Sequence, residues 1–137
     1  MRVAFGTDER TAVTDAVEAH LVAAGHEVVD PRRGDPWPSV GHAIGRAVAD
    51  GHAEIGVVMC WTGTGVSIAA NKVAGVRAAL CTDQATAEGA RRWNDANVLA
   101  MGLRLTTETT AIEMVDAFLA TAVDEAERPT IAEVERG

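Results

Sequence analysis

The sequence has few cationic side chains, no long apolar run and only two cysteines. Lysine and arginine number 12 against 20 aspartate and glutamate, which gives a formal net charge of -8, and no basic stripe interrupts the acidity. This balance argues against a nucleic acid or an anionic membrane as a partner. No stretch approaches the ~18 to 20 consecutive apolar residues that a membrane-spanning helix requires. The short apolar runs therefore argue against a membrane-spanning helix, and the acidic charge argues against a nucleic-acid-binding protein.

The N-terminal segment and the cysteines indicate the compartment. Only Arg2 precedes the apolar residues 3–5, which is not a signal-peptide pattern, so we expect the protein in the cytoplasm. Cys60 and Cys81 each end a predicted strand, and a disulfide is conceivable if those strands are neighbours. Because a cytoplasmic chain with two cysteines more often keeps free thiols, we expect both to be reduced.

At 137 residues, with 47% hydrophobic and 23% charged residues, the chain fits one domain, residues 1–137. Short apolar runs alternate five times with segments of helix-like spacing. The predicted strands are residues 3–6, 26–29, 55–60, 76–81 and 97–102. The predicted helices are residues 8–24, 39–50, 67–73, 83–93, 107–122 and about 130–135, with a loop over 30–38. The alternation predicts an α/β fold, a Rossmann-like doubly wound three-layer sandwich with a five-stranded parallel sheet.

The most informative segment is IGVVMCWTGTGVSIAANK, residues 55–72. An apolar strand delivers Cys60 into a small-residue turn over 62–65, which leads into a helix. Ligands of open α/β sheets bind at strand carboxyl ends, and a glycine-rich turn before a helix offers N–H groups to an anion. A thiolate beside a substrate C–H is a competent base, whereas the alternative is a small buried residue that fills the strand end. Ile68 occupies the third glycine position of G-x-G-x-x-G, so nucleotide binding is unsupported.

Polar side chains near other strand ends are further candidates, each with a plainer alternative. Asp8 follows the first strand and either contacts a polar substrate or caps the first helix. Asn94 and Asn97 lie at the entrance of the fifth strand and either hold a hydroxylated substrate or bridge loops. Arg104 follows that strand and either clamps a phosphate or is simply exposed to solvent. The four histidines are scattered and indicate no metal site.

Taken together, these motifs resemble the family that contains ribose-5-phosphate isomerase B and the galactose-6-phosphate isomerase subunits. The resemblance covers nearly the whole chain and is carried by VAFGTD, CWTGTGVSIAANK, VRAALCTD and WNDANVLAMGLR. Its most specific part is residues 60–72, against the family's Cys-Gly-Thr-Gly-x-Gly-x-Ser-x-x-Ala-Asn-Lys. The resemblance implies an aldose–ketose isomerase that moves a proton between C1 and C2 through a cis-enediolate, with no metal and no organic cofactor.

The resemblance also implies a role for each candidate residue. The implied catalytic residues are Cys60 and Thr62, and the loop whose N–H groups hold the enediolate is Gly63, Thr64 and Gly65. The implied substrate contacts are Asp8, Trp93 and Asn94, and the implied phosphate-binding residues are Arg104 and Arg128. The family further implies a homodimer or a tetramer, with the active site at the subunit interface and the C-terminal helix packed there.

Several positions depart from the family pattern. Glu9 stands where a phosphate-facing histidine is usual, Ala132 where a second arginine is usual, and Trp61 replaces a glycine beside Cys60. Trp93 stands where the family has the histidine credited with opening the furanose ring, and an indole nitrogen cannot transfer that proton because it is only a donor. These changes leave Cys60 and its loop intact, but they remove ring opening and weaken phosphate capture.

Three interpretations of the substrate follow. A four-carbon sugar phosphate needs no ring opening, because it cannot close a furanose through the phosphorylated oxygen, and Trp61 and Trp93 would narrow the pocket for it. The second interpretation is interconversion of ribose 5-phosphate and ribulose 5-phosphate, with ring opening left to solution or to another residue. The third is a divergent isomerase of another or unphosphorylated sugar, or a non-catalytic homologue that binds a small metabolite. The intact Cys60 and its loop argue against loss of catalysis.

Overall fold

The computed structural model describes residues Met1–Gly137, in which strands and helices alternate along the chain. The strands are β1 (Arg2–Thr7), β2 (Glu27–Arg33), β3 (Ile55–Cys60), β4 (Ala78–Leu80) and β5 (Val98–Gly102). The helices are α1 (Ala12–Ala23), α2 (Trp37–Ala49), α3 (Thr64–Asn71), α4 (Gln84–Asn94), α5 (Glu108–Ala120) and α6 (Arg128–Arg136), with a 3₁₀ turn at Glu125–Glu127.

The five strands form one parallel sheet in the order β2-β1-β3-β5-β4, with a layer of helices on each face. Side chains of β1 and β3 alternate between the two layers, as the pleat requires. Phe5 and Met59 lie in the core under α1, α4 and α5, whereas Ala4, Val58 and Cys60 lie in the core under α2 and α3. The predicted α/β fold class, with its five-stranded parallel sheet, is confirmed.

The segment 30–38 is mostly regular structure, and the prediction of a loop there is wrong. β2 continues through Pro31, because this strand lies at the sheet edge and a bulge beside β1 accommodates the residue that cannot donate. Asp30, at φ 46°, takes the left-handed conformation within that bulge. α2 begins at Trp37, and Pro38 is tolerated in its first turn because N–H groups there have no partner in the helix.

The first helix begins later than the sequence predicts. Thr11 and Thr14 form a capping box, in which the Thr14 N–H donates to Thr11 Oγ1 at 3.3 Å and the Thr11 N–H donates to Thr14 Oγ1 at 2.8 Å. Asp8 therefore lies in the loop between β1 and α1, and its interpretation as the cap of this helix is wrong. Because Thr11 caps the helix, the Asp8 side chain is not used as a cap.

The two cysteines are free thiols, as predicted. Cys60 ends β3 and Cys81 follows β4, but β5 lies between these strands. The two side chains also belong to opposite core layers, Cys60 under α2 and α3 and Cys81 under α4 and α5. The geometry for a disulfide between them is absent.

Candidate active site

The sheet has a topological switch point between β1 and β3, where successive strands are added on opposite sides of β1. β1 leads to β2 on one side, and β2 then crosses over β1 to β3 on the other side. Such a switch point opens a crevice at the strand carboxyl ends, which is where open α/β sheets bind their ligands. The residues that follow the two strands here are Asp8, one residue after β1, and Cys60 with its loop at the end of β3.

Backbone hydrogen bonds hold the loop after Cys60 against the neighbouring strand. The Leu103 N–H donates to the Cys60 carbonyl and the Arg104 N–H donates to the Trp61 carbonyl, both at 2.9 Å. Gly63 has φ 76°, and a Cβ atom there would lie 2.8 Å from the backbone nitrogen of Gly102. Only glycine suits this position, since both the conformation and the close approach exclude a side chain.

Helix α3 begins earlier than predicted, at Thr64, with Gly63 as its N-cap. The predicted loop residues Thr64 and Gly65 therefore form the first turn of the helix, where N–H groups have no intrahelical acceptor. No side chain caps them. The Thr62 and Thr64 hydroxyl oxygens lie 2.7 Å apart and share a hydrogen bond. This helix N-terminus presents N–H donors and hydroxyl groups beside Cys60, an arrangement that stabilises negative charge.

Asp8 is held against β3 and faces the same crevice. Its backbone N–H donates to the Met59 carbonyl at 3.4 Å. Its Oδ1 atom is shielded from solvent and has no hydrogen-bond partner. Burial raises the pKa of the Asp8 carboxyl above its usual range, the negative charge of Glu9 raises it further, and a backbone hydrogen bond acts in the opposite direction.

One cavity of about 320 Å³ joins these groups. Its lining consists of Asp8, Trp37, Cys60, Trp61, Thr62, Thr64 and Gly65. Cys60 is 5% exposed, so its thiol is reached through this cavity and not from the open surface. The structure thus brings together the predicted catalytic residues, the predicted anion-binding turn and one predicted substrate contact.

Trp37 also lines the cavity, although no motif in the sequence indicates it. Its indole lies directly on Gly65, where a Cβ atom would be 2.8 Å from Cε3 of the ring. Trp37 and Trp61 are 44% and 60% exposed, so each indole keeps a face open toward the cavity mouth. The available signal was the position of Trp37 after β2, a strand whose carboxyl end lies at the same edge of the sheet as Cys60.

Arg104 lies next to this cavity and does not line it. It borders a smaller recess of about 80 Å³, together with Trp61, Thr62, Gly102 and Leu105. The residue is exposed, and its backbone is tied to Trp61. The recess and the larger cavity share Trp61 and Thr62 in their linings.

Trp93 and Asn94 lie elsewhere in the chain. Both border a separate cavity of about 520 Å³ between β4 and α4, which also contains Leu80 and Cys81. Asn94 ends α4, four residues before Val98 at the start of β5, whereas Cys60 pairs with Gly102 at the end of β5. At about 3.3 Å per strand residue, at least about 13 Å separates the two ends. One chain alone does not bring Trp93 and Asn94 to Cys60.

Arg128 is likewise remote from Cys60. Its guanidinium donates to Glu125 at 2.7 Å and lies 3.5 Å from Asp95, the residue after α4. The hydrogen bond from Arg128 lowers the pKa of Glu125, and the same contact raises the pKa of Arg128. Asn97, the other candidate asparagine, bridges loops: it accepts from the Arg77 N–H at 2.7 Å and donates to the Gly75 carbonyl at 2.9 Å.

A Rossmann-like sheet that gathers a thiol, a carboxyl group and a helix N-terminus around one cavity at its switch point defines an α/β enzyme with a small-molecule site at its strand ends. Comparison with known proteins gives the family. The Ribose/Galactose Isomerase family model matches residues 3–134, so the chain belongs to that family and, as its motifs predicted, is an isomerase.

Three relatives illustrate the similarity. Ribose-5-phosphate isomerase B of Escherichia coli strain K12 is 40% identical over 124 residues, which are 86% of this chain and 83% of that protein. D-erythrulose-4-phosphate isomerase of Pectobacterium atrosepticum is 34% identical over 125 residues, 87% of this chain and 82% of that protein. The structure of Clostridium thermocellum ribose-5-phosphate isomerase B superposes with a TM-score of 0.92 at 30% identity, covering 99% of this chain and 96% of that one.

None of the helices combines the length and the apolar character needed to cross a membrane.

Proposed function

We propose that the chain interconverts the aldose and ketose forms of a small sugar phosphate through a cis-enediolate, without a metal or an organic cofactor. The observation that carries the proposal is the single cavity lined by Cys60, Asp8 and the N-terminus of α3. It holds a base, a polar contact for hydroxyl groups and a cluster of N–H donors, which are the groups that a proton transfer beside a carbonyl requires.

In this mechanism the Cys60 thiolate takes a proton from the carbon next to the carbonyl and returns it to the neighbouring carbon. Negative charge accumulates on the substrate oxygen while the proton is on the sulfur. The N–H groups of Thr64 and Gly65 and the hydroxyl of Thr62 are preorganised to stabilise that charge, since they line the cavity beside the thiol. Asp8 contacts the hydroxyl groups of the sugar.

The favoured substrate is a four-carbon sugar phosphate. A cavity of about 320 Å³ is at the lower end of the ~300–1,000 Å³ that ligand sites span, and the indoles of Trp37 and Trp61 restrict it. Trp93 cannot open a furanose ring, and a tetrose 4-phosphate has no such ring to open. The similarity to a D-erythrulose-4-phosphate isomerase supports this choice. Similarity to ribose-5-phosphate isomerase B supports the competing substrate, ribose 5-phosphate.

We further propose a homodimer or tetramer in which a second copy completes the site. Trp93, Asn94 and Arg128 lie at the opposite end of β5 from Cys60, so they serve the same substrate only if a partner supplies them. Large apolar side chains at the strand ends near the cavity are exposed to solvent: the exposed fraction is 60% for Trp61 and 72% for Leu105. Helix α6 buries none of its residues in its own chain, which suits packing against a partner.

The proposed substrate supports a cytoplasmic location, because a charged sugar phosphate does not cross membranes and is retained inside cells.

The experiment is a substrate comparison with purified protein. Isomerisation of D-erythrulose 4-phosphate, D-ribulose 5-phosphate and the two unphosphorylated ketoses is followed by the appearance of the aldose. We expect the highest kcat/KM with erythrulose 4-phosphate. A faster reaction with ribulose 5-phosphate contradicts the four-carbon proposal, and turnover of the free ketoses alone contradicts a phosphorylated substrate.

A further inference from the structure

A buried carboxyl oxygen without a partner lies beside the reactive thiol. Asp8 Oδ1 is the one shielded side-chain nitrogen or oxygen atom in the chain that makes no hydrogen bond. Buried polar atoms are almost always satisfied, so an exception that borders a cavity points to a group that a ligand would meet. The neighbouring loop supplies no partner, because Thr7 Oγ1 bonds instead with the backbone of Glu9.

Aldose–ketose isomerisation moves two protons, and Cys60 accounts for only one of them. One proton passes between the carbons, while another must leave a hydroxyl oxygen and reach the former carbonyl oxygen. The hydroxyls of Thr62 and Thr64 bond with each other at 2.7 Å. Because an alcohol is too weak an acid to give up its proton at neutral pH, these hydroxyls stabilise charge better than they carry protons.

We propose that Asp8 is a second catalytic residue, which carries the proton between the two substrate oxygens while Cys60 carries the proton between the two carbons. This inference rests on the proposed isomerase function and adds a role for Asp8 beyond a hydroxyl contact.

The two transfers balance. The Cys60 thiolate takes the proton of the carbon next to the carbonyl, which leaves the enediolate, and the Asp8 carboxyl group then gives its proton to the charged oxygen. The Asp8 carboxylate then takes the proton from the neighbouring hydroxyl as the Cys60 thiol returns its proton to the former carbonyl carbon. Both side chains finish in their starting protonation states, and no other reactant is needed.

The surroundings of Asp8 favour this exchange. Burial, followed by the charge of Glu9, raises the pKa of Asp8, which brings a carboxyl group closer to the neutral range where acid–base catalysis is efficient. The other charged side chains nearby, in the same loop and on β2, are Arg10, Arg32 and Arg33, and these pair with Asp15, Asp35 and Glu18. Cys60 lines the same cavity as Asp8. No cation therefore fixes Asp8 as a carboxylate.

The test uses Asp8→Asn in deuterated water, with erythrulose 4-phosphate or ribulose 5-phosphate, whichever the wild type turns over. Asparagine keeps the size and the polarity of the side chain but has no carboxyl proton to transfer. We expect kcat for isomerisation to fall roughly 100-fold while deuterium still enters C1 of the recovered ketose, so that the ratio of exchange to isomerisation rises. Asp8→Glu, which restores a carboxyl group, should regain part of kcat, and thermal denaturation checks that both variants fold.

A matched variant, Glu9→Gln, removes the neighbouring charge and leaves Asp8 in place. The inflection that Asp8 sets in the pH profile of kcat should move to lower pH in Glu9→Gln and vanish in Asp8→Asn. Equal loss of exchange and isomerisation, or a change in KM alone, would show that Asp8 only binds substrate and would overturn the inference. Absence of turnover by the wild type with every sugar would instead contradict the proposed function.

Discussion

The two cysteines occupy similar positions at strand ends and have opposite surroundings. Cys60 opens onto the cavity at the switch point, where N–H donors and a carboxyl group converge. Cys81 faces the other core layer, where burial and then the charge of Asp83 raise the pKa of its thiol to about 11. A thiol with that pKa stays protonated at neutral pH and is a poor base. At the scale of single residues, the face of the sheet decides which thiol borders the cavity.

Replacing each cysteine by alanine separates these roles. Cys60→Ala removes the proposed base, and we expect kcat for isomerisation to fall by roughly 100-fold or more, while the lost buried sulfur costs about 1 kcal/mol of stability. Cys81→Ala leaves the cavity intact, so kcat should stay within about twofold of wild type, although the lost sulfur costs about 1 kcal/mol of stability. The measurements are steady-state kinetics and urea denaturation. Retained turnover by Cys60→Ala would show that another group is the base.

A second prediction at this scale concerns Trp61, the large side chain beside Cys60. Trp61→Gly should enlarge the cavity mouth and raise kcat/KM for ribulose 5-phosphate relative to erythrulose 4-phosphate by about tenfold, because one added carbon in a fitted pocket is worth about 1–3 kcal/mol. Trp93→Ala is the comparison. If neither substitution changes the ratio of the two kcat/KM values, these indoles do not set chain length.

The element on which the site depends most is the N-terminus of α3. Gly63 sets its direction, since its left-handed backbone turns the chain from Cys60 into the helix while it passes close to β5. The approach leaves no room for a side chain: a Cβ at Gly63 would also lie 2.6 Å from Cδ1 of Leu80. The sequence shows a glycine here, but the contact with β4 and β5 comes only from the folded sheet.

Gly63→Ala and Gly25→Ala make a matched pair that tests this role. Both glycines have positive φ, 76° and 89°, but a Cβ at Gly25 would meet nothing within 4 Å. We expect Gly25→Ala to cost about 1 kcal/mol, from the conformation alone, and Gly63→Ala to cost more than about 2 kcal/mol, with loss of activity. Urea denaturation gives both free energies of unfolding. Equal costs would mean that α3 shifts freely to accommodate the side chain.

Elements were predictable where local signals and tertiary contacts agree. The apolar runs of β3 and β5 give the central strands correctly, because these strands are buried on both faces and read as continuous apolar segments. The predicted second strand ends at residue 29, whereas β2 continues through Pro31 to Arg33. A proline is excluded from a central strand but is tolerated in the bulge of an edge strand, and the edge position is a property of the folded sheet. β4 is only three residues long, although the sequence suggests six.

The residues of the site also divide into those that the sequence indicates and those that only the fold brings to the cavity. Cys60 and the turn after it are contiguous in sequence and could be identified there, together with Asp8 at the neighbouring strand end. Trp37 was missed because its place in the cavity follows from the packing of α2 on α3, two helices whose contact no local pattern reveals. Asn94 and Arg128, which were expected to act with Cys60, lie at the other end of β5. Sequence order alone does not show whether such residues meet within one chain or only between two copies.

At the scale of the whole molecule, the proposed assembly gives each chain two half-sites, at opposite edges of its sheet. The carboxyl edge holds Cys60 and Asp8, and the region after α4 holds Asn94 and Arg128. A twofold axis would bring the first half-site of one copy to the second half-site of its partner, and both active sites of a dimer would then be equivalent. Arg128 is held by Glu125 and Asp95, so its guanidinium is already positioned before any partner binds.

Mixing two inactive variants tests this arrangement. One variant carries Cys60→Ala, and the other carries Asn94→Ala with Arg128→Ala, so that each damages only one half-site. If the site is shared, subunit exchange after mild denaturation makes half of the dimers mixed, and each mixed dimer has one intact site of two, which restores about a quarter of wild-type kcat. The control mixes Cys60→Ala with Asp8→Asn, whose changes fall in the same half-site, so no mixed dimer regains a complete site.

Size-exclusion chromatography with light scattering reports the assembly in both mixtures. Recovery in the first mixture and not in the second requires that residues of two copies meet at one substrate, whereas dimers without recovery would confine catalysis to the Cys60 cavity of a single chain.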